Sequence, residues 1–133
     1  MSWNTFLRKN YLKIKRLGID LRGLNTVKFM KGESFPHRFV KFLICHALFK
    51  RGHRFKTEQQ IDNAICDVID LDNLVIYEVE TNSNPSTMRR KLEDFYHPFI
   101  EDIIIVSLKS LNFDWRTLSE ICEQIEKYYG LIR

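Results

Sequence analysis

Two strand-like runs, Ala64–Leu71 and Leu74–Glu80, are separated only by Asp72-Asn73. Their content of β-branched residues and tyrosine favours extended backbone, and an Asp-Asn link of this length is a turn signal. The pair reads as one hairpin, and every other element of the chain has to be placed around it.

Upstream the hydrophobic period is helical. Trp3, Phe6, Leu7, Tyr11, Ile14 and Leu17 predict a first helix closed by Gly18. Residues 19–32 are ambiguous, with Thr26–Met30 readable as a short strand or an irregular arm. Pro36 suits the start of a second helix with a broad apolar stripe of Phe39, Val40, Phe42, Leu43 and Ala47, ended by Gly52. Arg54–Ile61 then looks extended. Downstream, Asn82–Pro85 is a capping signal for a helix whose buried side is Met88, Leu92, Phe95 and Phe99. Ile103–Val106 is wholly apolar, as expected of a strand covered on both faces. Asp114 opens a last helix with Leu118, Ile121, Cys122, Ile125 and Tyr128 inward and a stop at Gly130. From residue 36 the order is α-β-β-β-α-β-α, which calls for an α/β fold with a mixed central sheet flanked by helices. No repeat, low-complexity tract or linker divides the 133 residues. The reading is one domain: a basic N-terminal extension (1–32), a core (33–109) and a C-terminal helix (110–133).

Hydrophobic content of 44% with 29% charged residues describes an ordinary globular chain. The strongest apolar stretch, Phe39–Phe49, is broken by Lys41 and His46 and is too short to span a bilayer. No signal-peptide pattern opens the chain. Cys45, Cys66 and Cys122 are odd in number and lack paired metal spacing, so buried thiols in a reducing, cytoplasmic setting are expected. Charge is unevenly distributed. Residues 1–56 carry 14 Lys and Arg against Asp20 and Glu33, a net +12, whereas residues 57–133 carry 7 against 15 acids, a net −8. A basic half suits a polyanion partner. The acidic half then either holds cations or packs against the basic one.

The hairpin concentrates those acids. Side chains alternate along a strand, so Glu78 and Glu80 share a face with Val79 opposite, and Asp67 lies on the preceding strand. Like charges facing each other in a sheet are destabilising. The cluster needs a nearby Lys or Arg, a raised pKa or a hard cation with oxygen ligands. The four histidines read as surface or packing residues, although His37 enters the second helix beside Glu33.

With "GESFPHRFVKFLICHALFKRGHRFKTEQQI", "ICDVIDLDNLVIYEVET" and "DIIIVSL", covering about Glu33 to Lys109, the chain resembles the PD-(D/E)xK nuclease superfamily, which includes archaeal Holliday-junction resolvases and many restriction enzymes. The resemblance implies an α-β-β-β-α-β core of restriction endonuclease-like type and a Mg²⁺- or Mn²⁺-dependent nuclease, an endonuclease acting on DNA, branched DNA included; a homodimer is compatible with it. It implies Asp67 and Glu78 as metal ligands, with the Val79 carbonyl, Glu33 and Glu58 as further ones. Two departures stand out: Cys66 replaces the proline before Asp67, and Glu80 replaces the lysine of E-x-K. Some restriction enzymes of the superfamily carry E-x-E, with the second glutamate assisting the nucleophilic water. Otherwise Arg89, Arg90 or Lys91 on the following helix supplies the missing cation, or the site is degenerate and the chain is a nucleic-acid-binding or protein-interaction module. Expected phosphate contacts are Lys13, Lys15 and Arg16 on the first helix, Arg38 and Lys41 on the second, and Arg89, Arg90 and Lys91 on the third.

Overall fold

The changes of hydrophobic period along the chain become changes of element. The computed structural model describes residues 3–81 and 84–128. Helices α1 (Trp3–Arg16) and α2 (Phe35–Lys50) precede the strands β1 (Phe55–Ile61), β2 (Ala64–Asp70) and β3 (Val75–Glu80). Helix α3 (Pro85–Asp94), strand β4 (Asp102–Ser107), a short 3₁₀ turn (Leu108–Ser110) and helix α4 (Trp115–Tyr128) follow. Side chains satisfy the first amides of three helices. Ser34 Oγ accepts from His37 N–H, Asn84 Oδ1 from Thr87 N–H and Asp114 Oδ1 from Thr117 N–H. Beyond the last residues of α1 and α2, Gly18 and Gly52 adopt positive φ, which an L side chain resists. Asn82 and Gly130, expected to help begin and end helices, lie outside the described residues.

The sheet has the order β1-β2-β3-β4, antiparallel up to β3 and parallel between β3 and β4. Helix α3 makes the crossover that a parallel pair requires. The described residues are therefore mixed α/β, with a four-stranded mixed sheet and four α-helices. Cys45 and Leu48 of α2 pack with Phe55 and Val68, while Val40 packs with Val79 and Leu108. On the other face Ile14, Leu17 and Ile19 cover Ile61, Cys66, Ile69 and Ile76, together with Phe95. Among the described residues, no helix is long and apolar enough to cross a membrane.

Several expectations are corrected. β4 is an edge strand, and Ile104 is 38% exposed, so the apolar run is not covered on both faces. The inward face of α2 is Val40, Lys41, Cys45 and Leu48; Phe42 and Ala47 point to solvent. No residue of α3 or α4 is fully buried. Leu92, Ile121, Ile125 and Tyr128 are exposed, and α3 ends before Phe95 and Phe99. Helical spacing identifies a common face, but it does not say whether another element covers that face. Residues 26–30 form the irregular arm, tied to β1 by Lys28 N–H donating to Thr57 Oγ1 and by Thr57 Oγ1–H donating to the Thr26 carbonyl.

The β2–β3 turn is itself buried, because Leu71, Asp72 and Leu74 lie beneath α1. Asn10, buried on α1, donates from Nδ2 to the Leu71 and Asp72 carbonyls at 2.8 and 2.7 Å. Removing this amide leaves two buried acceptors without their donor. Asn10→Ala is expected to lower stability by about 1–3 kcal/mol, measured by urea unfolding. An unchanged unfolding midpoint contradicts this account of how α1 is anchored.

Candidate metal centre

The β2–β3 pairing runs through Asp70–Val75, Ile69–Ile76 and Val68–Tyr77. Past Val68, carboxylates take over the role of the ladder. Asp67 N–H donates to Glu78 Oε2 at 2.9 Å, and Val79 N–H donates to Asp67 Oδ2 at 2.8 Å. β1 and β2 also change character here. Phe55 and Val68 pack toward α2, whereas Ile61 and Cys66, of the same respective parities, pack with Ile14 and its neighbours. Side-chain alternation thus reverses between Thr57–Val68 and Gln59–Cys66, the level of Glu58 and Asp67. Glu58 has φ +51°, an unusual conformation for a residue with a Cβ. Both carboxylates reach side chains of α2.

Helix α2 meets them with a row of its own. Lys41 is fully buried and pairs with Glu58 and with Glu33 Oε1, the latter at 2.8 Å. It also donates to the Lys28 carbonyl at 3.1 Å. His37 Nδ1 contacts Glu33 Oε2, and His37 Nε2 lies 3.3 Å from Asp67 Oδ2. Both ring nitrogens face carboxylate oxygens, the arrangement of an imidazolium with two donors. The Asp67 hydrogen bond raises the His37 pKa above its ordinary value, against the effect of burial.

Asp67 and Glu78 are pushed in opposite directions. Burial raises Asp67, but the His37, Glu78 and Val79 hydrogen bonds outweigh it and hold the carboxyl low. Burial, then the adjoining Asp67 carboxylate, drives Glu78 up. Glu78 Oε1 is buried and has no hydrogen-bond partner among the described residues. Lys91, from α3, places Nζ 3.5 Å from that oxygen and 2.6 Å from Glu80 Oε1. Burial would lower the Lys91 pKa, but the Glu80 hydrogen bond and the neighbouring carboxylates raise it.

His37, Asp67, Glu78, Val79, Glu80 and Lys91 all line one polar cleft, of about 400 Å³. Glu33, His37 and Asp67 each offer a ligand atom within 4.8 Å of the others, a set able to hold a metal ion. Glu33 therefore belongs beside the cleft, while Glu58 is engaged by Lys41. Val79 contributes its N–H to Asp67. Two expected phosphate contacts change roles: Lys41 is inaccessible, and Lys91 is bound to Glu80. Arg38 donates to the Glu33 carbonyl. Arg16 packs over Phe99, Lys13 lies 4.0 Å from Glu101, and Lys15, Arg89 and Arg90 are exposed. His37 is a centre of the site and not a surface or packing residue: four residues apart on α2, His37 and Lys41 project to one side.

A scan against protein-family models, a search of curated proteins and a search of solved structures each find no match to this chain.

Lys41→Ala strands two half-buried carboxylates and is expected to cost about 3–5 kcal/mol. Adding Glu33→Gln and Glu58→Gln should recover much of the loss; no recovery in chemical unfolding contradicts the paired-charge account. Glu78 also predicts a pH effect. Its folded pKa lies above its unfolded value, so the folded state retains a proton that the unfolded chain releases, and stability falls as pH rises above about 4.5. Glu78→Gln removes this titration. The Tm advantage of the variant over the natural protein should grow between about pH 5 and pH 8. A constant difference rules out this linkage.

Proposed function

We propose that the chain is a divalent-metal-dependent nuclease that hydrolyses DNA phosphodiester bonds at internal positions, on a restriction endonuclease-like fold. The carrying observation is the break in the β2–β3 ladder, where two carboxylates cross the gap and buried Glu78 Oε1 accepts no hydrogen bond from a described residue. A buried carboxyl oxygen with no hydrogen bond, beside a polar cleft and 3.5 Å from the Lys91 ammonium, suits an oxygen-preferring cation once its proton is released. Helix, three-strand meander, helix and parallel fourth strand support the fold assignment.

Asp67 and Glu78 would hold Mg²⁺ or Mn²⁺, with Glu33 and His37 able to join through Asp67. When bound, such an ion supplies charge neutralisation at the phosphate and an acidified water. His37 must release its shared proton before its nitrogen can become a ligand. Glu80, which pairs with Lys91, would orient water, and Lys91 would bring from α3 the cation missing from the E-x-K position. Its ammonium can neutralise charge on the phosphoryl oxygens.

One observation favours a degenerate nucleic-acid-binding module. The His37 contacts and the Lys91 ion pairs already offset much of the acidic charge without a metal.

Cleavage of linear, single-stranded and branched DNA with Mg²⁺ or Mn²⁺ distinguishes the readings. The nuclease reading expects metal-dependent products. It also expects Asp67→Ala to lose more activity than the roughly 10–100-fold that follows loss of an outer-shell partner. Glu80→Lys should impair an E-x-E enzyme. No cleavage by the natural protein, with cleavage appearing in Glu80→Lys, marks a degenerate site.

A further inference from the structure

The solvent side of α2 has no part in the cleft. Phe42, His46 and Phe49 recur at i, i+4 and i+7 and form one stripe. Phe42 is 46% exposed and Phe49 65%. The Phe42 and His46 rings are stacked, with centroids 6.1 Å apart and planes 12° from parallel. Together with Asn25 and Val27 of the arm they line an open groove of about 210 Å³. Phe29 of the arm is also exposed, its ring 5.9 Å from Lys41 Nζ. Lys41 binds Glu33, and Glu33 contacts His37, so α2 carries the aromatic stripe on its solvent side and, through His37, part of the cleft lining.

Exposed cations flank this row along the chain. Lys28 of the arm, Lys31 just after it, and Lys50 and Arg51 at the end of α2 are exposed. The two acids of residues 1–56 are paired, Asp20 with Arg22 and Glu33 with Lys41 and His37. An apolar protein surface docking here has no need of these cations. A ligand with phosphates and flat π-faces uses both cations and rings. Phe42 and Phe49 are about 10 Å apart along the helix axis, farther than stacked bases, so they suit bases that have left the stack.

We propose that this groove binds single-stranded nucleic acid and feeds unpaired nucleotides toward the carboxylate cleft. The substrate would then be a single strand or a single-stranded segment of a branched duplex. Binding in the groove is independent of the metal centre, whereas cleavage of the bound strand rests on the nuclease reading above.

The test is fluorescence anisotropy of the full chain with a labelled oligothymidylate of about a dozen nucleotides, in EDTA, beside a duplex of equal length. The single strand should bind more tightly than the duplex. Phe42→Ala and Phe49→Ala should each weaken it on the order of tenfold. A Phe42→Leu, Phe49→Leu variant keeps the apolar cover but should also lose affinity. Natural affinity in the leucine variant overturns base stacking on these rings. Unchanged binding in both alanine variants also overturns the groove, even if the protein cuts DNA. Ring-dependent binding without cleavage in Mg²⁺ or Mn²⁺ sustains the groove and removes the nuclease reading.

Discussion

Asp67 and Glu78 occupy the place where the β2–β3 ladder would otherwise continue, and the surrounding architecture is organised by the need to compensate them. A carboxylate removed from water needs hydrogen bonds, a counter-charge or a proton. Asp67 obtains the first two from Val79 N–H and His37, while Glu78 is displaced toward its protonated form. Lys91 reaches the pair from α3, and Glu33 and Lys41 extend the same network along α2. Removing one member therefore leaves others exposed to the cost of burial. A hydrophobic replacement of the whole network would often be equally stable or more so. The network is more readily explained by chemistry at the cleft than by stability alone.

The hairpin was legible because strand composition and the Asp72-Asn73 link are local signals. The same hairpin brings Asp67, Glu78 and Glu80 to one cleft, but parity puts Asp67 on the face of Glu78, whereas the reversal of alternation turns it toward His37 of α2 and the two carboxyls meet across the gap in the ladder. Burial of Lys41 was not legible, since its partner Glu58 lies on another element and turns through an unusual φ. Ile103–Val106 illustrates a different limit. An apolar run fits a central strand, but it also fits an edge strand with one exposed side, and only the sheet order separates them. For α4, spacing defined a shared face correctly and its burial incorrectly.

The charge asymmetry acquires a spatial meaning. Asp67, Glu78 and Glu80 of the second half meet at the cleft beside Glu33, whereas exposed Lys28, Lys50 and Arg51 of the first half flank the aromatic stripe along the chain. A polyanion approaching the carboxylates would be repelled by them and attracted by the basic border. Cation binding at the carboxylates reduces that repulsion. Attraction at the border and neutralisation at the cleft are thus complementary requirements of the proposed activity.

The central claim is that Asp67 and Glu78 form a cation site, and calorimetric titration with Mn²⁺ at about pH 7 in two buffers of different ionisation enthalpy tests it most directly. The account predicts saturable binding at a fixed stoichiometry, a buffer-dependent heat from proton release by His37 and Glu78, and loss of both in Asp67→Asn. No saturable heat from the natural protein, or the same isotherm from Asp67→Asn, contradicts it.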